Sequence, residues 1–159
     1  MKVNLKKSCF LLAASTLAAF SSLCAHSEIT PVITDQAPVA IGPYSQAIKA
    51  GSYLFISGQI AIDPATGKLS GETIEEQTIQ VLHNLEAILA AEGLTFKNVV
   101  KSEVYLQNLG DFQAMNAIYA QSFSYAVRPA RATVEVSKLP LSAMVEISCI
   151  AYIPNSSEK

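Results

Sequence analysis

Two segments near the C-terminal end of the chain alternate polar and apolar residues with a period of two. In residues 130–136, ARATVEV, the polar face consists of Arg131, Thr133 and Glu135, and the apolar face consists of Ala132, Val134 and Val136. Residues 143–152, AMVEISCIAY, alternate in the same way and place Glu146 and Ser148 on one face. This period predicts two β-strands that each turn an apolar face to a core. The two strands must therefore belong to a β-sheet. Arg131 is bulky and permanently charged, so its position on that sheet calls for an explanation.

Two helices are predicted upstream of these strands. Residues 71–93 place one helical face on Ile74, Thr78, Val81, Leu82, Leu85, Ile88 and Leu89. Thr73 and Glu76 have the spacing of a capping box at the start of this helix, and Gly93 is a natural stop. Residues 111–123, DFQAMNAIYAQSF, predict a second helix.

The remaining strand patterns complete one domain. Strands are predicted in residues 52–62 and 98–108, and a short strand follows the Gly-Pro turn in residues 40–47. The element order is then roughly β-β-α-β-α-β-β, an α+β domain with both helices packed on one face of the sheet. The other face must meet water or another subunit. If the two closing strands pair as an antiparallel hairpin, Arg131 and Glu146 lie on the same face, close to one another.

The N-terminal segment has the composition of a secretory signal peptide. Residues 1–27 combine a lysine-rich start, a short apolar run in residues 9–20 and small residues after it. Cleavage after Ala25 or after Ser27 fits this layout, and we favour Ser27, which leaves residues 28–159 as a single domain. The protein is then periplasmic or secreted. An uncleaved N-terminal anchor is the alternative.

The charge and cysteine content of residues 28–159 narrow the possible partners. This part of the chain has eight basic and thirteen acidic residues, a net charge near −5, and no basic stripe, which disfavours a nucleic-acid partner. No segment after the signal is long and apolar enough to span a bilayer, so no membrane contact is expected after cleavage. Cys149 is the only cysteine after residue 27, and its apolar neighbours predict a buried, inert thiol.

Few kinds of catalytic chemistry remain for such a chain. His83 is the only histidine after residue 27, which leaves no Ser-His or Cys-His pair and no ordinary zinc site. Its place in the helix pattern favours a surface or satisfied interior histidine. No phosphate-binding glycine loop is present. The candidates are therefore the carboxylate of Glu146 and the guanidinium of Arg131, for which a structural ion pair or two solvent-facing charges is the alternative interpretation.

Several motifs occur in an order that resembles the Rid (YjgF) family, in its reactive intermediate deaminase A branch. They are AIGPYSQA (40–47), FISGQI (55–60), QTIQVLHNLEAILAAEG (77–93), DFQAMNAIYAQSF (111–123), RPARATVEVSKLP (128–140) and VEISCIA (145–151). The resemblance implies a chorismate-mutase-like fold and a homotrimer whose sheets face inward, with sites between subunits. It also implies hydrolysis of reactive 2-imino or enamine acids, such as 2-aminoacrylate and 2-iminobutanoate, to 2-keto acids and ammonia. No metal or organic cofactor is implied.

The resemblance also assigns site residues. It implies that Arg131 binds the substrate carboxylate and that Glu146 positions a water. Tyr44 of the Gly-Pro turn and the backbone of Ser57 and Gly58 are implied to contact the substrate. Tyr44 has the alternative role of ordering its own turn.

One further position follows from the same resemblance, and two depart from it. Asn116 of the second helix is implied to lie near the cleft. Thr133 stands where relatives often have cysteine, and we expect it to preserve backbone contacts to the substrate while changing cleft polarity. Ser148 stands where some relatives have a second glutamate, which leaves Glu146 as the expected sole carboxylate.

Two other functions stay open at the level of sequence. The first is an exported small-acid-binding or holdase-like module, in which Arg131 captures a carboxylate without turnover. The second is an endoribonuclease, an activity attributed to some relatives, against which the acidic charge and the export signal argue.

Overall fold

The computed structural model describes residues 29–155, so the predicted signal peptide lies outside the described residues. The strands and helices, in chain order, are β1 (Thr30–Val32), β2 (Ala47–Ala50), β3 (Tyr53–Gln59), β4 (Ile62–Asp63), β5 (Lys68–Leu69), α1 (Ile74–Ala91), β6 (Val99–Leu106), α2 (Phe112–Ser122), β7 (Ala130–Glu135) and β8 (Val145–Tyr152). Short 3-10 turns lie at Phe96–Asn98, Leu109–Asp111 and Pro140–Ser142. The predicted α+β class and the order of the main elements are confirmed.

Six strands form one mixed sheet in the order β1-β2-β3-β8-β6-β7, and β4 pairs with β5 in a separate hairpin. All neighbours in the six-stranded sheet are antiparallel except β6 and β7, which are parallel. Helices α1 and α2 pack on one face of the sheet, which we call the helix face. The opposite side is the open face.

The prediction that the two closing strands form a hairpin is wrong. Strand β6 lies between β7 and β8 and hydrogen-bonds to both of them. The reason is the crossover through α2, because a helix that follows β6 brings the chain back to run parallel to that strand. The chain then crosses to the other side of β6 before β8 begins.

This order also makes the predicted placement of Arg131 and Glu146 on one face wrong. Arg131 is aligned with Ser102 of β6, and Ser102 is aligned with Cys149 of β8, so these three side chains share the helix face. Glu146 is three residues from Cys149, and successive side chains of a strand alternate between faces. Glu146 therefore projects from the open face, whereas Arg131 projects from the helix face.

The apolar side of β7 does not pack into the core as predicted. Val134 is aligned with Tyr105 on the open face and is 46% exposed, and Ala132 is also exposed. Strand β7 is the edge of the sheet, and the periodicity of its residues does not reveal which strands flank it. The alternation correctly identified a strand but assigned the wrong face to the core.

Helix α1 begins and ends where the sequence indicates. The Thr73 hydroxyl accepts a hydrogen bond from the backbone N–H of Glu76, whose carboxylate accepts one from the backbone N–H of Thr73. Hydrogen bonds from the backbone N–H groups of Glu72 and Thr73 lower the pKa of Glu76. Gly93 has φ +67° just after the helix, a conformation that glycine adopts without strain.

The core lies between the two helices and the sheet. Its largest fully buried apolar side chains are Leu54, Leu85, Ile88, Leu89, Leu106, Met115 and Ile147. Cys149 is buried in the same core, which confirms the predicted burial of this thiol, and burial raises its pKa to about 12. His83 lies on the exposed side of α1. Between residues 29 and 155, the helices are too short or too polar to cross a membrane.

The open face exposes large apolar side chains. Tyr53 and Phe55 of β3 are each 45% exposed, and their ring centroids are 6.4 Å apart. Tyr152 of β8 lies edge-on to Tyr53 with the ring centroids 5.9 Å apart. Because such clusters usually mark contact surfaces, this face is a candidate for association with another protein surface.

Candidate functional site

The carboxylate predicted from sequence lies at the base of a cleft on the open face. The cleft has a volume of about 360 Å³ and is formed by the turn after β1, the end of β3, the turn before β8 and β8 itself. We call it the Glu146 cleft, and its lining includes Tyr44, Ser57, Gly58, Pro140 and Glu146. The structure therefore brings together four of the predicted site residues.

Gly58 makes room for the Glu146 side chain. The pairing of β3 with β8 is irregular between Ile56 and Gln59, and Gly58 lies in this irregular stretch. A Cβ atom at position 58 would collide with Oε1 of Glu146 and would lie 2.8 Å from its Cδ. A side chain at position 58 would therefore displace the Glu146 carboxylate.

Glu146 is suited to proton transfer. It is half-buried, and no residue between 29 and 155 forms an ion pair or a side-chain hydrogen bond with its carboxylate. Burial raises the pKa of this carboxyl above its ordinary value. A carboxyl in a cleft with a raised pKa has the properties expected of a general acid or base.

A second carboxylate on the open face behaves differently. Glu103 of β6 accepts hydrogen bonds from Lys101 Nζ at 2.7 Å, from the Tyr105 hydroxyl at 3.3 Å and from the Ser148 hydroxyl at 3.4 Å. The hydrogen bond and charge of Lys101 lower the pKa of Glu103. Its acceptor oxygens are occupied, which leaves Glu146 as the carboxylate available to a ligand.

The wall of the Glu146 cleft is held by a residue that sequence reasoning missed. Gln46 is buried, and its amide nitrogen donates to the carbonyls of Ala37 at 3.1 Å and Pro38 at 2.8 Å. Its amide oxygen accepts from the backbone N–H of Thr34 at 2.8 Å. These bonds fasten the turn to β2. The glutamine of the Gly-Pro motif was the available signal.

Tyr44 orders its own turn, which is one of the two roles that the sequence left open. Its hydroxyl accepts a hydrogen bond of 3.4 Å from the backbone N–H of Ile41, and its ring lies against Gly42, so the side chain orders its own turn. The residue also lines the Glu146 cleft and is 49% exposed. Ordering the turn and lining the cleft are thus compatible.

Ser57 is committed to internal hydrogen bonds. Its hydroxyl donates to the Ser45 carbonyl at 2.7 Å, and its backbone N–H donates to the Gln46 carbonyl at 3.0 Å. Ser57 therefore joins β3 to the turn, and neither donor is open to a ligand.

Arg131 lies in a second pocket, of about 430 Å³, on the helix face. We call it the arginine pocket, and its polar lining consists of Asn116, Tyr119, Arg128 and Arg131. The central guanidinium carbon of Arg131 lies 4.6 Å from the ring centroid of Tyr119 and 5.7 Å from that of Phe112. Aromatic faces attract a guanidinium without neutralising it, so its donors can still bind a carboxylate.

Tyr119 is fixed beneath Arg131 by its own contacts. Its hydroxyl shares a hydrogen bond of 2.7 Å with the Ser102 hydroxyl in the buried interior. Burial raises the pKa of Tyr119, and the Ser102 hydrogen bond opposes that shift. Because the ring is buried and hydrogen-bonded, it is a rigid support for the guanidinium.

The alternative in which Arg131 and Glu146 form a structural ion pair does not hold within one subunit. The ion pairs between residues 29 and 155 are Lys49–Glu92 at 2.8 Å and Lys101–Glu103 at 2.7 Å. Arg131 and Glu146 instead line separate pockets on opposite faces of the sheet.

Thr133 lines a third pocket, apart from both of these sites. This pocket is also lined by Leu109, Gly110, Phe112 and Gln113. The Thr133 hydroxyl oxygen is buried and makes no hydrogen bond. The structure thus joins Asn116 to Arg131 and the other candidates to Glu146, and leaves Thr133 separate.

The chain is similar to proteins of known families over nearly all of its described length. The endoribonuclease L-PSP family model matches residues 34–153. A RutC family protein of Pyrococcus horikoshii is 52% identical over 121 residues, which cover 76% of this chain and 95% of that protein. Reactive Intermediate Deaminase A, chloroplastic, of Arabidopsis thaliana is 50% identical over 122 residues, 77% of this chain and 65% of that protein.

A solved structure is similar in both sequence and fold. It is a protein of the conserved Rid family, YyfA, from Yersinia pestis, with 46% identity, a TM-score of 0.77, and coverage of 79% of this chain and 100% of that chain. The order of the motifs, the fold and these similarities agree, and the chain belongs to the endoribonuclease L-PSP family, the Rid (YjgF) family that its motifs indicate.

Proposed function

We propose that the protein is an enamine/imine deaminase that hydrolyses reactive 2-imino acids, such as 2-iminobutanoate and 2-iminopropanoate, to 2-keto acids and ammonia. One observation carries the proposal: Glu146 lies in an open cleft with a raised pKa and no ion-pair partner between residues 29 and 155. An imine is already electrophilic, so its hydrolysis needs a positioned water and a base rather than a strong nucleophile. The 50% identity to a reactive intermediate deaminase A supports the same reaction.

The proposed site contains residues of two subunits. Arg131 and Glu146 project from opposite faces of one sheet and cannot meet within a subunit, so the arginine pocket of one copy must approach the Glu146 cleft of another. The exposed aromatic cluster on the open face and the exposed edge strand β7 favour such an association. We propose the homotrimer that the family resemblance implies. Light scattering of dilute protein tests it, and a monomer mass would eliminate the shared site.

Arg131 and Glu146 have different tasks in the proposed site. Arg131 binds the substrate carboxylate through two charge-assisted hydrogen bonds. Glu146 takes a proton from water as the oxygen adds to the carbon of the protonated imine, which gives a neutral carbinolamine. The same carboxyl returns that proton to the nitrogen. As the C–N bond breaks, the hydroxyl proton of the carbinolamine passes to the departing ammonia, so the products are the keto acid and ammonium. Every atom of the substrate and the water is recovered in the two products.

We also propose that residues 1–27 are a cleaved export signal and that the protein works in the periplasm or outside the cell. The lysine-led apolar run of these residues supports this placement. The imines would then arise from an oxidative or elimination reaction of amino acids outside the cytoplasm. Mass spectrometry of the protein from the cell envelope should find an N-terminus near Glu28, and an intact Met1 on cytoplasmic protein would refute export.

A coupled assay tests the activity. An amino-acid oxidase generates 2-iminobutanoate, and the release of 2-oxobutanoate is followed with and without residues 28–159. Faster release supports the deaminase. Binding of 2-oxobutanoate without acceleration would instead favour a small-acid-binding module, and cleavage of RNA by the same preparation would favour a ribonuclease.

A further inference from the structure

The chain has two arginines, and both line the arginine pocket. Arg128 and Arg131 are the only arginines in the sequence, and they share this pocket with Asn116 and Tyr119. No carboxylate lines the pocket, and neither arginine pairs with a carboxylate between residues 29 and 155. Two positive charges thus share one pocket without an anionic partner from the described chain.

The spacing of the two arginines allows both to contact one small molecule. They are three residues apart, with Pro129 and Ala130 between them, and Arg128 precedes β7. Three residues of chain separate their Cα atoms by at most about 10–11 Å, and both residues line the same pocket. Both arginines are exposed, but Arg131 lies over two aromatic rings, whereas Arg128 is on the loop before β7.

Two arginines that line one pocket match a ligand with two carboxylates. The family resemblance gives a role to Arg131 alone, and a substrate with one carboxylate would leave Arg128 unused. We propose that the preferred substrates are dicarboxylic 2-imino acids, with the α-carboxylate on Arg131 and the distal carboxylate on Arg128. This proposal rests on the proposed function. Water adds across the C=N bond and ammonia leaves, so a dicarboxylic 2-keto acid forms while both carboxylates stay unchanged.

A distal carboxylate on the substrate would explain why the arginine pocket has a second positive charge, that of Arg128. A guanidinium and a carboxylate form paired, charge-assisted hydrogen bonds, which a neutral aliphatic side chain cannot replace. Arg128 therefore determines specificity in this proposal, whereas Arg131 and Glu146 act on every substrate. The loss of one charged hydrogen-bonded contact reduces affinity about 10-fold or more.

The experiment compares two imines on the same preparations. An amino-acid oxidase generates 2-iminoglutarate from glutamate and 2-iminobutanoate from 2-aminobutanoate, and kcat/KM is measured for each. The wild type should prefer 2-iminoglutarate, and Arg128→Ala should lower the ratio of the two kcat/KM values about 10-fold or more. Arg128→Lys should retain part of the preference. Lys138→Ala removes an exposed positive charge outside the three pockets and should leave the ratio unaltered.

Specific outcomes would overturn the inference. The inference fails if Arg128→Ala leaves the ratio of the two kcat/KM values at its wild-type value. It also fails if Lys138→Ala lowers that ratio as much as Arg128→Ala does, because the effect would then come from the overall charge of the protein. If neither imine is hydrolysed faster, the proposed function fails on its own. Calorimetry with 2-oxoglutarate and 2-oxobutanoate still tests the pocket in that case. Equal affinity of both keto acids for the wild type would refute a second carboxylate site.

Discussion

The close approach of Gly58 to Glu146 predicts that Gly58→Ala abolishes the proposed imine hydrolysis without unfolding the protein. An alanine Cβ would collide with Oε1 of Glu146 and would lie 2.8 Å from Cδ, whereas ordinary contacts begin near 3.4 Å. The Glu146 carboxyl carbon must therefore retreat by roughly 0.6 Å, and its oxygen by more. The side chain can move because its far end is flexible.

The expected magnitude follows from that displacement. A misplacement of about 1 Å of a group that acts on the substrate costs on the order of 10²-fold in rate. We therefore expect kcat/KM to fall about 100-fold. Thermal stability should change little. Gly58 is not among the glycines with positive φ, so alanine restricts the unfolded chain and contributes about 0.4–1 kcal/mol, which is opposed by the displacement of the half-buried Glu146 side chain.

A double-mutant cycle connects the loss to Glu146. Imine hydrolysis and thermal unfolding are measured for Gly58→Ala, Glu146→Gln and the double variant. If Gly58 acts only by making room for the carboxylate, the double variant should be no slower than Glu146→Gln alone. Additive losses would refute this reasoning, because they would show that the glycine acts through another contact. Full activity in Gly58→Ala would refute the displacement itself.

Two further substitutions test the proposed roles directly. Glu146→Gln should lower kcat/KM by about 10²–10⁴-fold. In the wild type the rate should rise with pH through a midpoint above 4.5, because burial raises the pKa of this carboxyl and delays its ionisation. Glu146→Gln should remove this rise from the acid side of the pH–rate profile. Glu75→Gln, on the exposed side of α1, is the matched control. If Glu146→Gln kept the wild-type pH dependence at acid pH, a group other than Glu146 would be the base. Arg131→Lys should lower kcat/KM roughly 10²-fold with an unaltered melting temperature, because lysine keeps the charge without the planar pair of donors. A lower melting temperature with retained activity would make Arg131 structural.

Local patterns in the sequence were sufficient to predict α1. Its capping box joins Thr73 and Glu76, which are three residues apart, and its buried face follows from the helical period. The main strands β3, β6, β7 and β8 were also identified, because alternation is a property of each strand alone, whereas β1 and the β4–β5 hairpin were not. What the sequence could not supply was the neighbour of each strand, since that depends on the path of the chain through α2.

For the candidate site, too, the sequence identified single residues but not which residues lie next to one another. Motifs pointed to Tyr44, Gly58 and Glu146 separately, but only the irregular pairing of β3 with β8 shows that the glycine makes room for the carboxylate. Gln46 was overlooked because its value lies in bonds to a loop eight to twelve residues away. Arg128 belongs to no helix or strand pattern, and its place in the arginine pocket depends on how the loop before β7 folds beside α2.

The opposite-face geometry of Arg131 and Glu146 leads to a complementation prediction. A subunit with Arg131→Ala keeps an intact Glu146 cleft, and a subunit with Glu146→Gln keeps an intact arginine pocket. In a cyclic trimer each interface takes the cleft from one subunit and the pocket from the next, so equal co-expression of the two inactive variants should give about one productive interface in four.

Co-expression with two different affinity tags and sequential purification isolates the mixed trimers, whose rate of 2-iminobutanoate hydrolysis is then compared with the wild type. Each variant expressed alone is the control and should be inactive. Random assembly predicts about one quarter of the wild-type rate before selection, and a larger share in trimers that carry both tags. If both residues acted within the same subunit, every site would carry a defect and mixing would restore nothing. Recovered activity would therefore require a site built from the helix face of one copy and the open face of the next.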